Sequence, residues 1–407
     1  MAKSPALRSF KHRNFRVLYP ANALSNIGTW AQRVAQDWLV LELTDNDPAM
    51  LGLVTAVQFL PSMLLSLYGG LLADRFSKRK LLLLTNFGAG VASFVLGLLV
   101  LTGSVALWHV FLLALVVGIF SAVDSPIRIS FTSELVGKDD LANAVSLNSA
   151  NFNAGRLIGP ALSGFLIAAY GTGPSFIINT ASYVVMVVTL LVIRDQDLHI
   201  TTQPKRGNKL IEGFRYVKSR RDLLLVMVVV FFTTTFGLNF QMFIALMATK
   251  EFGMGPSEFG TLGSILAVGS LSGALVAARL EKHRTIRNIL RGAFVFGVLV
   301  ALSGLLPNVW VYGAALPLLC GTVLLTLISA NTYVQSNTDS ALRGRVMGIY
   351  LMIFMGGTPI GSPLVGFVAA AIGIRWTIVI CGIIVAVAAL VIRQLHINFR
   401  EAEKQTQ

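Results

Sequence analysis

The chain has 407 residues, of which 55% are hydrophobic and 13% charged, and its mean hydropathy is +0.72. Soluble globular domains carry about 25% charged residues, so this composition excludes that class and indicates a polytopic membrane protein. The formal net charge of +14 would suggest nucleic-acid binding in a soluble protein. Here the bases lie mostly between apolar runs, where they suit a cytoplasmic face beside an anionic leaflet. We therefore expect no nucleic-acid partner.

Apolar runs of adequate length predict an all-α fold with twelve transmembrane helices, since about 20 apolar residues cross a bilayer. The predicted spans are Val17 to Leu43, Met50 to Ala73, Leu81 to Leu101, Val105 to Ser125, Ala142 to Tyr170, Ser175 to Ile193, Leu223 to Thr249, Ser257 to Ala278, Ile289 to Leu306, Val309 to Tyr333, Val346 to Ile372 and Trp376 to Ile392.

Positive charge orients these spans. If both termini are cytoplasmic, 29 of the 33 lysines and arginines fall in cytoplasmic segments or at the cytoplasmic ends of the spans. This asymmetry follows the positive-inside rule. The sequence therefore predicts a multi-pass protein of the cell inner (plasma) membrane with both termini in the cytoplasm.

An internal repeat predicts two pseudo-symmetric six-helix halves. GRLIGPALSGF, residues 155–165, aligns without gaps on GTPIGSPLVGF, residues 357–367, and six positions are identical. The predicted halves are residues 1–193 and 223–407, joined by a basic linker at 194–222, which is a parallel-repeat plan. The later part of the linker, LIEGFRYVKSRRDLLL, predicts either a short helix on the membrane surface or a plain tether.

The first span carries an unusual polar face. Asn22, Asn26, Arg33 and Asp37 fall within roughly 60° of one another on a helix with about 100° per residue. Such a face is costly in contact with lipid, so it should line protein or a water-filled cavity. Arg33 and Asp37 are spaced for an i, i+4 salt bridge. We expect this face to lie on the substrate and proton pathway, and the alternative is a purely structural pair.

Two further residues complete the predicted pathway. Arg156 lies near the middle of the fifth span, where an arginine needs an anion, water or carbonyl groups. It is predicted either to bind substrate, to pair with an acid such as Asp37, or to latch two helices together. Asn239 belongs to the polar surface of the seventh span. In addition, Asp37 is the predicted proton carrier, with Glu42 at the outer mouth as the alternative.

No cofactor chemistry is indicated. Cys320 and Cys381 lie in apolar runs and predict packing residues. No cluster of His, Cys and acidic residues has metal-ligand spacing, and no phosphate-binding loop of the Walker type occurs. The sequence therefore predicts no cofactor, no metal and no enzymatic activity, and transport would draw on an ion gradient or on the substrate's own gradient.

The turn between the second and third spans, GGLLADRFSKRK, breaks a long apolar run into one acid and four bases. It resembles the signature loop of the major facilitator superfamily at matching positions, which are Gly70, Leu72, Ala73, Asp74, Arg75, Lys78 and Arg79. Ser77 stands where that loop has its second glycine. The resemblance implies a cytoplasmic conformational gate at Gly70, Asp74, Arg75 and Arg79, in which Asp74 helps to hold the cytoplasmic side closed.

A second stretch, beginning DSPIRISFTSELVG at Asp124, resembles the twelve-span drug and siderophore exporter branch of that superfamily, which includes macrolide-efflux proteins and the enterobactin exporter. Asp124 and Arg128 form another i, i+4 pair, which we expect to act as a cytoplasmic gate or latch. The resemblance covers nearly the whole chain.

These patterns predict a secondary transporter that exports small amphipathic molecules by proton antiport and alternating access. The expected partners are a small-molecule substrate, protons and membrane lipid. A lipid or lysolipid transporter of the same fold is the alternative. A non-transporting receptor or scaffold is the other alternative, and it is disfavoured by the charges inside the first and fifth spans.

Overall fold

The computed structural model describes residues 5–199, 210–279, 285–339 and 342–405, apart from the side chains of residues 5, 6, 66–75, 210, 211, 274, 277–279 and 399–405. Within these ranges the regular elements are helices, with no strand. The α-helices are α1 Arg13–Leu43, α2 Pro48–Arg75, α3 Lys78–Leu101, α4 Leu107–Tyr170, α5 Gly173–Val192, α6 Leu210–Ser219, α7 Arg221–Phe232, α8 Phe240–Leu246, α9 Pro256–Arg279, α10 Ile286–Ser303, α11 Val309–Ser336, α12 Arg343–Ile372 and α13 Ile374–Gln405.

These helices account for twelve membrane crossings. Among the described residues, nine helical segments have the length and apolarity needed to cross a membrane, and the segment 221–251 that contains α7 and α8 is one of them. α4 is another, and at 64 residues it has the length for two crossings. α1 and α9, with 31 and 24 residues, have the length as well. The predicted all-α, twelve-span fold is confirmed.

The fourth and fifth spans are two helical arms within α4, separated by a kink. The break between the arms is Gly137, whose backbone φ is +70°, a left-handed value that side chains other than glycine rarely adopt. The helix continues past the predicted end of the fourth span before it reaches this break. As a result, the polar residues from Asp124 to Glu134 lie on a regular helix and can present successive turns to their neighbours.

The seventh span is irregular. Between α7 and α8 the chain forms a π-helical segment, Thr233–Gly237, and a second one, Met247–Glu251, follows α8. Single π-helical turns are rare among protein helices, and those that occur are often found at functional sites. α12 comes close to the first segment because Gly357 and Gly361 have no side chains there; a Cβ on Gly361 would overlap the carbonyl oxygen of Thr235.

The chain forms two compact units. The first comprises Met1–Asp45, Leu60–Lys205 and Met254–Ser264, and the second comprises Asn46–Phe59, Arg206–Gly253 and Ile265–Gln407. Each therefore includes a short segment from the other predicted half. A buried apolar cluster joins α1, α3, α4 and α5 within the first unit through Phe15, Leu82, Phe131 and Met186. Burial of this apolar surface holds the helices that carry most of the predicted site residues.

Candidate functional site

Two arginines share one tryptophan inside the first unit. The guanidinium carbon of Arg33 lies 4.7 Å from the centroid of the Trp30 ring, and that of Arg156 lies 5.5 Å from it. Both distances are within the range of cation–π attraction. α1 supplies Trp30 and Arg33, and the second arm of α4 supplies Arg156. All three side chains are half-buried. The structure thus brings together two of the residues predicted for the pathway.

The close approach of α1 and α4 depends on glycines. A Cβ on Gly155 would lie 2.7 Å from the Cβ of Asn26, and a Cβ on Gly159 would lie 2.6 Å from the Cβ of Trp30. Small residues allow helix backbones to pack at such distances in membranes. Arg156 lies between these glycines in sequence, so the contact that they permit carries its side chain to the Trp30 ring.

The charges around Trp30 do not cancel. Two guanidiniums on one indole repel each other, and Asp37, buried one turn beyond Arg33, attracts Arg33. With Asp37 ionised, the group formed by Arg33, Asp37 and Arg156 retains one net positive charge. Among the described residues Arg156 has no hydrogen-bond or ion-pair partner, and its guanidinium makes a cation–π contact with the Trp30 ring. An anion is the chemical species that this arrangement can accept.

A second polar row of α1 faces protein. The side-chain oxygen of Gln32 accepts hydrogen bonds from Ser93 Oγ at 2.7 Å and from Asn179 Nδ2 at 2.6 Å. Ser182 Oγ in turn donates to the Asn179 side-chain oxygen at 2.9 Å. This network joins α1 to α3 and α5. It satisfies buried polar groups that would be costly in an apolar surrounding, and it fixes the rotation of α1.

Asn22 belongs to a different cluster from the one around Trp30. Arg128 donates to Asn22 Oδ1 at 2.6 Å and holds the Asp124 carboxylate through Nε at 2.7 Å and Nη2 at 3.0 Å. Thr85 and Asn86 each donate to the same carboxylate at 2.8 Å. The structure therefore forms the i, i+4 pair expected from the sequence and adds Asn22 to it. We call these five residues the Asp124 cluster.

The gate predicted in the turn between the second and third spans is only partly described by the structure. Gly70, Asp74 and Arg75 lie in α2, but the side chains of Asp74 and Arg75 are outside the described part of the structure. Arg79 donates to the carbonyl oxygens of Leu190 at 2.7 Å and Leu191 at 2.8 Å, and it reaches Asp195 at 2.8 Å. A cation at the last carbonyls of a helix is favourable. Arg79 thus binds the end of α5 within the first unit.

Asn239 lies in the second unit, beside the first π-helical segment. Its Nδ2 donates to the Thr235 carbonyl oxygen at 2.7 Å. Its Oδ1 is buried, as are Thr235 Oγ1 and Ser362 Oγ, and none of these three atoms has a hydrogen-bond partner among the described residues. Unsatisfied buried polar atoms are uncommon in native proteins. They mark this part of the second unit as able to receive further hydrogen bonds.

Sequence reasoning missed Trp30 and Ser362. The signal for Trp30 was its position three residues before Arg33, on the face that approaches the glycines of α4. Ser362 follows Gly361 within the internal repeat, where small residues indicate close packing. Among the described residues no group of three or more His, Cys, Asp or Glu side chains could hold a metal ion.

A family model described as "Transmembrane secretion effector" matches residues 4–407. The staphyloferrin A transporter of Staphylococcus aureus is 27% identical over 403 residues, covering 95% of this chain and 98% of that protein. The enterobactin exporter EntS of Shigella flexneri is 26% identical over 309 residues, covering 74% and 72% respectively.

Solved structures agree on the fold. A bacterial homologue of the human lysosomal transporter Spinster matches with a TM-score of 0.74 at 16% identity, covering 96% of this chain and 97% of that one. The nucleoside transporter NupG matches with a TM-score of 0.74 at 15% identity, covering 94% and 99%. The predicted resemblance is confirmed, and the chain is a multi-pass membrane transporter and not an enzyme. It belongs to the transmembrane secretion effector family of the major facilitator superfamily.

Proposed function

We propose that this transporter exports small amphipathic anions of drug or siderophore type from the cytoplasm, by alternating access and in exchange for protons. The observation that carries the proposal is Arg156, a half-buried arginine within a membrane helix. Its guanidinium lies over the Trp30 ring and has no hydrogen-bond or ion-pair partner among the described residues. The names of two relatives, a staphyloferrin A transporter and an enterobactin exporter, support a siderophore-like cargo.

The chemistry of the Trp30 site suits a ligand with an anionic group and an apolar or aromatic part. The anion would relieve the repulsion between Arg33 and Arg156, and Arg156 can offer two parallel N–H donors to a carboxylate or a similar planar group. The indole face of Trp30 provides apolar contact beside the charges. Asn26 and Asn239 are the amide side chains that we assign to the same pathway.

Proton exchange fits this cargo energetically. With an inside-negative membrane potential, outward movement of an anion and inward movement of a proton are both favourable, by about 2.3 kcal/mol per charge per 100 mV. Asp37 is the proposed proton carrier because it is buried in α1 beside Arg33. Its charge is therefore felt by the same guanidinium that faces the cargo.

Orientation and gating complete the proposal. Both termini are placed in the cytoplasm because 29 of 33 basic residues then lie on that side. The turn containing Gly70, Asp74 and Arg75 then lies on the same side as Arg79 and the Asp124 cluster. We assign these residues to a cytoplasmic gate. The halves 1–193 and 223–407 would alternate in access around the pathway.

Transport assays in proteoliposomes test the cargo. We expect concentrative uptake of staphyloferrin A or enterobactin into inside-out vesicles, and weaker transport of neutral and cationic amphiphiles. Arg156→Ala should weaken the apparent affinity for the anion about 10- to 100-fold, because a charge-assisted hydrogen bond is worth about 1.5–3 kcal/mol. Arg156→Lys keeps the charge but loses the planar fork, so it should retain part of the activity.

Arg375→Lys is the matched control. Arg375 also lies over an aromatic ring, 5.6 Å from the centroid of Phe252, but its Nε is already bonded to Glu251 at 2.6 Å. This variant should keep the wild-type preference for anions. Wild-type transport by Arg156→Ala would remove the proposed role of Arg156, and transport of phospholipids or lysolipids in preference to anions would favour the alternative cargo.

The coupling ion has its own test. Adding substrate should drive proton movement in wild-type proteoliposomes and fail to do so with Asp37→Asn. Glu42→Gln tests the alternative carrier. Glu42 lies at the end of α1 and accepts a hydrogen bond from Trp38 Nε1 at 2.7 Å, and we expect this variant to keep the substrate-driven proton flux. Unchanged substrate-driven proton flux in Asp37→Asn would show that another group carries the proton.

A further inference from the structure

A groove opens beside the short amphipathic helix α6 in the second unit. α6 packs on α12 through Gly213, where a Cβ would lie 3.0 Å from the Cβ of Arg345 and 3.3 Å from the Cδ1 of Ile349. An ion pair between Glu212 and Arg345 fixes the same contact. The opposite side of α6 is left facing outward, and the groove runs between it, α7 and α12.

The walls of the groove are apolar and its mouth is basic. Its volume is about 640 Å³. Leu224, Val228 and Phe231 form one stripe along α7, and Phe214 and Ile353 are among the side chains that close the sides. Phe214 and Leu224 are 48% and 40% exposed, so the apolar lining is open to its surroundings. Arg215 and Lys218 are the charged residues of the lining.

These two cations are not neutralised by the acids near them. Asp222 is held by Arg220, with oxygen–nitrogen distances of 2.9 and 3.0 Å, and also accepts a hydrogen bond from Tyr333 at 3.2 Å. Glu212 is engaged by Arg345. Among the described residues, Arg215 and Lys218 have no ion-pair partner, and both are exposed. Within the part of the chain that the structure describes, the mouth of the groove therefore carries two positive charges without an ion-pair partner.

The groove lies at the start of a membrane span. α7 begins at Arg221, and its apolar run begins at Leu223. From Leu224 to Phe231 the apolar stripe extends about 10 Å along the helix at about 1.5 Å per residue. A ligand with a charged head at Arg215 and Lys218 and an apolar tail along this stripe would match both the charge and the direction of the bilayer interface.

We propose that this groove binds one anionic phospholipid, with the phosphate on Arg215 and Lys218 and an acyl chain along the α7 stripe. Lipid binding in this groove is separate from the proposed export function and does not depend on the identity of the cargo. An acyl chain leaves one apolar surrounding for another when it moves from bilayer to groove, so selectivity must come from the head group. The site should therefore distinguish head-group charge and be nearly indifferent to chain length.

Lipid binding to the full chain in nanodiscs tests the proposal. The probes are phosphatidylglycerol and phosphatidylcholine with matched acyl chains. Bound lipid is counted by native mass spectrometry after gentle release of the protein from the nanodisc. Two basic residues near an anionic lipid should give a preference for phosphatidylglycerol of about 30-fold. The double variant Arg215→Ala/Lys218→Ala should lose most of this preference.

Matched controls separate the groove from general surface charge. Arg287 and Arg291 are exposed cations at i and i+4 at the start of α10, and they do not line the groove. Arg287→Ala/Arg291→Ala should keep the preference. Val228→Trp fills the groove without changing charge and should also reduce phosphatidylglycerol binding, whereas Val295→Trp, at an exposed position on α10, should not.

The decisive comparison is made on variants that unfold at the wild-type temperature in phosphatidylcholine. If Arg215→Ala/Lys218→Ala does not reach that temperature, the comparison between Val228→Trp and Val295→Trp decides. Equal preference for phosphatidylglycerol in the groove variants and the wild type would overturn the proposal. Displacement of the lipid by inorganic phosphate at similar concentration would overturn it as well, since it would indicate a site for a soluble anion.

Discussion

Gly159→Ala should separate α1 from α4 and weaken the Trp30 site. The new Cβ would lie 2.6 Å from the Cβ of Trp30, 2.9 Å from the carbonyl oxygen of Ile27 and 3.0 Å from the amide nitrogen of Ala31. Carbon atoms pack best at about 3.5–4.0 Å, so the helices must move apart by about 1 Å. Overpacking of this kind costs about 1–3 kcal/mol.

The same movement should disturb the contact between Arg156 and Trp30. The guanidinium is 5.5 Å from the ring centroid, and a shift of about 1 Å takes it beyond the range of about 6 Å at which cation–π attraction is significant. A desolvated cation–π contact is worth about 2 kcal/mol, which corresponds to about 30-fold in affinity. We therefore expect Gly159→Ala to lose both thermal stability and affinity for an anionic substrate.

Thermal unfolding in detergent and transport in proteoliposomes measure the two effects. The matched control is Gly344→Ala, because Gly344 lies in the first turn of α12 with no atom within 4 Å of a new Cβ. This substitution should be neutral or stabilise the protein by up to about 1 kcal/mol. Equal unfolding temperatures and equal transport rates for the two variants would refute the close contact between α1 and α4.

Two further predictions concern polar clusters of the first unit. Asp140 accepts charge-assisted hydrogen bonds from Lys11 and from neighbouring basic groups, which hold its pKa well below its usual range. The contribution of Asp140 to stability is therefore fully present above the unfolded-state pKa of about 3.9 and is lost only as the pH falls through the lower folded-state pKa. Proteolysis of the N-terminal segment should begin only in that acidic range. Proteolytic release of the segment at about pH 5 would contradict this. Arg128→Ala leaves the Asp124 carboxylate partly buried without its cation and should lower stability by about 1–3 kcal/mol, whereas unchanged thermal unfolding would show that the cluster is not structural.

The internal repeat was visible in the sequence because the packing that it encodes is symmetric. In the second arm of α4, Gly155 and Gly159 contact α1, and Gly164 contacts the start of α9. In α12 the corresponding glycines contact the π-helical segment at Thr234 and Thr235, and the start of α2 at Pro48. α1 is the first span and corresponds to the seventh span, which contains this π-helical segment. α9 is the eighth span and corresponds to the second span, α2. The two sets of contacts are therefore equivalent under the repeat. Identical letters therefore record identical close approaches.

The depth of each polar side chain was not predictable from the same reasoning. Helical periodicity places Asn22, Asn26, Arg33 and Asp37 on one face of α1, but Asn22 and Asp37 are about 22 Å apart along the axis at about 1.5 Å per residue. One face therefore passes through two separate environments. Asn22 joins the Asp124 cluster, and Arg33 joins Trp30. Partners such as Trp30 come from rotation and packing, which periodicity alone does not determine.

The Asp124 cluster of the first unit and the polar atoms beside the π-helical segment of the second unit differ in how completely their hydrogen bonds are satisfied, and this difference bears on transport. In the first unit, the Asp124 carboxylate accepts from Arg128, Thr85 and Asn86, so that cluster is complete without a ligand. In the second unit, the buried oxygens of Thr235, Asn239 and Ser362 have no partner among the described residues. Each such atom costs about 1–3 kcal/mol relative to a satisfied one. A π-helical segment and a row of glycines hold them in place, although an ordinary helix with apolar side chains would avoid the cost. Retaining such atoms is favourable only if water or cargo meets them during the transport cycle. We therefore propose that Thr235, Asn239 and Ser362 serve hydrogen-bond recognition, whereas Arg156 serves charge recognition.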